Sequence, residues 1–170
     1  MPKKETATLE DLLSVLDLMD SSGITSWLDG GWGVDALAGE QTREHRDIDV
    51  DFDAQHTEKL LALLAKGGYV LETDWAPARL ELHSPQWGYL DIHPFVLNAD
   101  GTAKQADLDG GWYEFAPDYF GSAVIAGRTI PCISVKGQRV FHSGYELREQ
   151  DRHDLAVLER LEAEKATTRP

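Results

Sequence analysis

The sequence predicts an α+β fold, a mixed β-sheet with flanking helices. Three observations carry that prediction. A strictly alternating run at Asp47–Asp53 reads as a strand. Apolar residues at helical spacing mark Leu9–Met19 and Arg148–Glu164 as helices at the two ends. Between them, strand-like runs follow one another closely in some places and are separated by helices in others.

Thr8, followed three residues later by Asp11, reads as a helix cap. Leu9, Leu12, Leu13, Leu16 and Met19 continue the pattern, and Gly23 ends it. Ile24 to Leu28 is a short strand candidate. Gly30-Gly31 reads as a turn, followed by a helix from Trp32 to Ala38 that Gly39 stops. A third helix, Thr57–Lys66, closes at Gly67-Gly68. Strands are expected at Tyr69–Trp75, Arg79–His83 and Tyr89–Val96, with a turn at Asn98–Gly101. Residues 102–133 give only two strand-like pieces, Ser122–Ala126 and Thr129–Ile133. Ser134 reads as the cap of a helix to His142, ended by Gly144. Leu155, Leu158 and Leu161 share one side of the last helix.

The 170 residues suit one compact domain or a core with a small second lobe. The lone cysteine, Cys132, sits in an apolar run and reads as a small buried hydrophobe. The N-terminus has no signal-peptide pattern and no apolar run reaches the ~20 residues of a membrane span, so the expectation is a cytoplasmic protein. A net charge of −14 argues against a nucleic-acid partner and suits a cationic small molecule.

The most informative segment is the alternating strand. Ile48, Val50 and Phe52 share one face, and Asp47, Asp49, Asp51 and Asp53 the other. Two carboxylates ~7 Å apart at an effective dielectric of ~20 repel by ~2.4 kcal/mol. Four in a row require that they splay into water or share a cation. A charged edge strand is the plain alternative. An EF-hand spacing is also present, but Phe52 stands where that loop's sharp turn requires glycine. Asp91 and His93 share a face opposite Leu90 and Ile92, so pairing of this strand beside the first would bring a third carboxylate to Asp47 and Asp49. Gly30-Gly31 before a helix can offer N–H groups to a phosphate. Thr42–Arg46 supplies cations ahead of the acidic strand. No His-Glu-x-x-His or Gly-x-Ser-x-Gly occurs, which leaves zincins and serine hydrolases without support.

The stretches Trp27–Asp35, Arg43–Asp49, Tyr89–Pro94, Ile130–Ser134 and Phe141–Tyr145 closely resemble the small lincosamide nucleotidyltransferases of antibiotic resistance, which have a polymerase-β-like palm. The short aminoglycoside nucleotidyltransferases share the glycine turn and the Arg43, His45, Asp47 and Asp49 positions. The resemblance implies a nucleotidyltransferase fold with a core at 1–100 and a strand-and-helix lobe at 101–170 that closes a cleft, the two counting as one domain or two. It implies Mg²⁺, two ions, held by Asp47, Asp49 and Asp91, with Asp91 as catalytic base. Gly30, Gly31, Arg43 and His45 would bind the nucleotide. The expected reaction moves a nucleoside monophosphate from NTP to a lincosamide hydroxyl and releases pyrophosphate. The alternatives are an aminoglycoside acceptor and a non-enzymatic cation-binding protein. Trp112, Tyr113 and Tyr145 are candidate substrate contacts or core aromatics, and a homodimer is a further option.

Overall fold

The computed structural model describes residues 2–143 and 145–167. Gly144, expected to end a helix, lies outside the described residues. The chain begins with helix α1 (Leu9–Ser21), whose first turn is closed by a reciprocal pair: Thr8 Oγ1 accepts from the Asp11 amide, and the Asp11 carboxylate accepts from the Thr8 amide. Strand β1 (Ser26–Asp29) leads straight into α2 (Gly30–Ala38), and β2 (Asp47–Asp53) leads through a 3-10 turn (Ala54–His56) into α3 (Thr57–Lys66). Three strands follow, β3 (Val70–Trp75), β4 (Arg79–Ser84) and β5 (Gly88–Leu97), then two short ones, β6 (Ala103–Ala106) and β7 (Trp112–Phe115). The hairpin β8 (Phe120–Ile125) and β9 (Arg128–Ile133) precedes α4 (Val135–Phe141) and α5 (Glu149–Thr167).

The strands form one mixed sheet in the order β3-β4-β5-β2-β1-β9-β8, extended at β5 by β6 and then β7. Pairing is parallel at β2–β5 and β1–β9 and antiparallel elsewhere. The α+β expectation holds. The strands after residue 101 are not separate from this sheet, since β9 hydrogen-bonds to β1 in its centre. The short strands β6 and β7 were not expected: Lys104, Gln105 and Glu114 interrupt any apolar alternation, and their pairing is set by the register with β5.

The alternation in β2 sends its residues to two different layers. Ile48, Val50 and Phe52 join Leu12, Val15 and Met19 of α1 and Leu60 and Leu64 of α3 in the main apolar core. The opposite face meets a smaller aromatic cluster around Phe95 and Phe115, with Trp27, Phe120 and Phe141 against it. Trp27 and Phe120 ring centres lie 5.0 Å apart, and Phe115 and Phe141 4.7 Å. A third cluster joins Val34 of α2 to Val157 and Leu158 of α5, which fixes the C-terminal helix beside the start of α2.

Candidate active site

Strand register creates the site. Asp29 of β1 stands opposite Asp49 of β2, Asp49 opposite Asp91 of β5, and Asp91 opposite Glu81 of β4. Neighbouring strands lie ~4.8 Å apart, so four acidic residues form one row across four strands. Like charges directly opposite one another destabilise a sheet, and the row is relieved by fixed donors. His93 Nδ1 accepts from Gln105 at 3.1 Å, which puts its proton on Nε2, 3.0 Å from Asp49 Oδ1. Arg79 reaches Asp91 Oδ2 at 3.5 Å, and Arg46 lies 3.4 Å from Asp47 and 3.5 Å from Glu81.

The relief is incomplete. Burial, and then the neighbouring Asp49 carboxylate, push Asp47 up to about 6. Burial and the Asp49 and Asp47 carboxylates push Asp91 up to about 7. Asp91 Oδ1 is buried and has no hydrogen-bond partner. Asp49, Asp91 and His93 each place a ligand atom within 4.8 Å of the others. An unpartnered carboxylate oxygen among mutually repelling hard oxygen donors fits a divalent cation such as Mg²⁺. His93 Nε2 is already engaged with Asp49, so His93 orients a carboxylate.

The expectation that all four β2 aspartates splay into water or share a cation fails at Asp51. It is 0% exposed, and neither of its oxygens has a hydrogen-bond partner. The register sets it between Trp27 and His93, one row beyond Asp49, on the face that carries the aromatic cluster. Burial, followed by the nearby Asp29, raises its pKa well above the usual carboxylate range. Asp53 instead caps the following 3-10 turn by accepting from Gln55 N at 3.2 Å.

The two glycines permit close approach to this floor. Gly30 opens α2 at φ +61, and a Cβ there would overlap Asp49 Oδ2. The turn and helix expected in sequence are thus one element, with Asp29 as its cap, accepting from Gly30 N at 2.8 Å. A Cβ on Gly31 would overlap Arg43 Nη2 and come 2.7 Å from His45 Nδ1. Arg43 is gripped by Asp154 of α5 through two bonds of 2.8 and 2.9 Å. His45 is buried against Trp32 and lies 2.6 Å from Asp35, which also accepts from Thr42. The pKa of Asp35 is lowered: the His45 and Thr42 hydrogen bonds outweigh burial, the largest single influence, which acts the other way.

A cavity of about 480 Å³ collects these groups, a size suited to a small-molecule ligand. Asp47, Asp49, Asp91, Gly30, Gly31, Arg43 and His45 all line it. So do Asp29 and Glu81 from the sheet and Gln138, His142, Tyr145, Arg148 and Asp154 from the C-terminal segment, none except Tyr145 anticipated as a site residue. Asp29 was legible as the carboxylate before the glycine pair. Asp151 and Asp154 occupy the buried face of α5 with Val157 and Leu158, so acids within a helical stripe were the available signal there. Trp112 lines a separate apolar groove, and Tyr113 packs edge-on against Phe141 at 6.0 Å. Cys132 is buried, its thiol pushed up to about 12 mainly by burial, and it is no nucleophile.

The model of the aminoglycoside-2''-adenylyltransferase family matches residues 11–158. A lincosamide resistance protein of Staphylococcus haemolyticus is 50% identical over 159 residues, covering 94% of this chain and 99% of that protein. A 2''-aminoglycoside nucleotidyltransferase of Escherichia coli is 30% identical over 142 residues, covering 76% and 70%. The crystal structure of the lincosamide antibiotic adenylyltransferase LnuA, lincomycin-bound, superposes with a TM-score of 0.85 at 50% identity, covering 92% of this chain and 99% of that one. With the nucleotidyltransferase fold and this match along nearly its whole length, the chain belongs to the aminoglycoside-2''-adenylyltransferase family and is an antibiotic-modifying nucleotidyltransferase.

Proposed function

We propose that this protein transfers a nucleoside monophosphate from NTP to a hydroxyl of a lincosamide, with Mg²⁺, and releases pyrophosphate. The observation that carries the chemistry is the opposition of Asp49 and Asp91 beneath the N-terminus of α2, at the floor of the cavity. The lincosamide acceptor is supported by the 50% identical relative over its full length, against 30% for the aminoglycoside enzyme. The aminoglycoside reading stays as the second, because the matching family model carries that description.

Each residue has a task in this reading. Asp47 and Asp49 hold Mg²⁺ together with Asp91, two ions in all. Bound there, Mg²⁺ would supply positive charge against the triphosphate, and the three carboxylates would hold it in place. The bare turn at Gly30 and Gly31 lets the phosphates approach the N–H groups and dipole of α2. Arg43 and His45, packed beneath Gly31, face the same oxygens. Asp91 accepts the proton of the acceptor hydroxyl: burial and the neighbouring carboxylates raise its basicity, and Mg²⁺ at this site would lower it again while making the hydroxyl easier to deprotonate. No described helix is long and apolar enough to cross a membrane; we place the enzyme in the cytoplasm, with its nucleotide.

Mass spectrometry of lincomycin, clindamycin and kanamycin after incubation with each NTP and Mg²⁺ tests the reading. Lincomycin and clindamycin are expected to gain one nucleoside monophosphate, and EDTA or Asp49→Ala to abolish the gain. Modification of kanamycin alone would move the protein to the second reading. Absence of any adduct or pyrophosphate would refute the proposed acceptors.

A further inference from the structure

The side chain of Gln138 is 1% exposed, and its Nε2 has no hydrogen-bond partner. Its main chain, by contrast, is well tied: its N–H donates to Ser134 O at 2.8 Å, and its carbonyl accepts from His142 N at 3.0 Å and His142 Nδ1 at 2.7 Å. The amide is therefore unnecessary for holding α4. An apolar side chain of the same shape would avoid leaving a buried donor unpaired.

The amide is directed at a particular place. Gln138 lines the cavity with Asp49 and Asp91, and a Cβ on Gly33 would come 2.7 Å from its Nε2. Gly33 is the fourth residue of α2, directly after Gly30, Gly31 and Trp32, whose N–H groups lack helical partners at the positive end of the dipole. Gln138 thus reaches the same turn that Arg43 reaches beneath Gly31. Three kinds of donor converge: main-chain N–H, a guanidinium and a neutral amide. Of the five described residues with unpartnered buried side-chain atoms, Arg79, Asp91 and Gln138 all line this cavity. The orphaned atoms thus concentrate where a polar ligand would complete them.

We propose that Gln138 is a nucleotide-binding residue whose Nε2–H donates to a non-bridging oxygen of the NTP triphosphate, so that α4 supplies part of the phosphate site. This rests on the reading of the cavity as an NTP site. A neutral donor suits the position, because it adds a hydrogen bond to the anion without recruiting one of the many nearby carboxylates as a competing ion-pair partner.

Calorimetric titration with magnesium tripolyphosphate and with the magnesium complex of each of the four ribonucleoside triphosphates tests the assignment on wild type, Gln138→Leu and Gln138→Glu. Gln138→Leu should melt at or above the wild-type temperature, since it removes an unpaired donor, and should bind both kinds of probe about tenfold to a hundredfold more weakly. Gln138→Glu should bind still less, because a carboxylate faces the phosphate. In turnover, the KM for NTP should rise more than kcat falls. Wild-type affinity for tripolyphosphate in Gln138→Leu, or a lowered melting temperature with affinity intact, would overturn the proposal. Weakened NTP binding with unchanged tripolyphosphate binding would also overturn it, by moving the contact to the nucleoside. Failure of the wild type to bind any of these probes would instead refute the nucleotide reading, and this assignment with it.

Discussion

Asp91 is held among groups that both raise its basicity and fix its direction. Its Oδ2 faces Arg79 at 3.5 Å while Oδ1 is unpartnered. Asp91→Asn keeps the shape and one oxygen but cannot accept a proton, so a single-turnover assay at saturating NTP and lincomycin should show a loss of about 10²–10⁴ in rate. A variant turning over at near the wild-type rate would remove Asp91 as the base. The three carboxylates and the glycine pair were legible because alternation and spacing are local. Asp51 was misread for the same reason: alternation gives the face, and only the aromatic layer above that face decides between water and burial. Gln138 left no trace, since nothing in the run Val135–Phe141 announces which residue of a short helix will meet a glycine a hundred positions earlier.

Helix α5 connects stability to the site. Leu158 is fully buried with Val34 and Val157, while one turn earlier Asp154 grips Arg43. Truncating a buried leucine costs about 2–5 kcal/mol, and a domain of this size loses about 2–4 °C per kcal/mol. Leu158→Ala is therefore expected to lower the melting temperature by roughly 4–20 °C, read by calorimetry, and an unchanged melting temperature would show that α5 packs on α2 without contributing stability. Most long elements were readable from their apolar period, including α1, α3, β2 and β5. The stripe expected on α5 packs on one side, with Leu158 buried and Leu155 and Leu161 partly buried against the same cluster, but the buried face of α5 is wider than that stripe. Asp151, Asp154, Val157 and Leu158 are its buried residues, because the helix covers a charged cavity as well as an apolar core.

For the molecule as a whole, the crowded acids set how stability responds to pH. Asp47 and Asp91 have folded pKa values of about 6 and 7 against an ordinary 3.8. Between pH ~4 and ~7 the folded chain binds more protons than the unfolded one, so their contribution falls as pH rises through that window. Burial lowers the pKa of His93 and His142, but it is outweighed by the hydrogen bond of His93 to Asp49 and, at His142, by the Asp154 carboxylate 3.8 Å away and the Gln138 carbonyl. Both are therefore raised above 6.5, and their contribution is likewise lost as pH rises past that value. Asp35 and Asp154 are lowered by theirs against the opposing effect of burial, and their contribution is lost only as pH falls below 3.8. Metal-free protein should thus melt at a lower temperature at pH 8 than at pH 5, and Mg²⁺ should raise the melting point more at pH 8. A melting temperature that climbs from pH 5 to pH 8 without metal would contradict this charge balance.

The parallel pairing of β1 with β9 ties Leu28 to Cys132. Long-range pairing of this kind makes folding slow relative to a helical bundle, because a large loop must close before the contact stabilises anything. A chain emerging from the ribosome can form β2 beside β5 once about a hundred residues are out, yet the β1 edge stays open until β9 follows. During that interval an apolar strand edge is available to neighbouring chains. The yield of this enzyme in a cell is thereby tied to synthesis rate and chaperone supply as well as to the final stability of its fold.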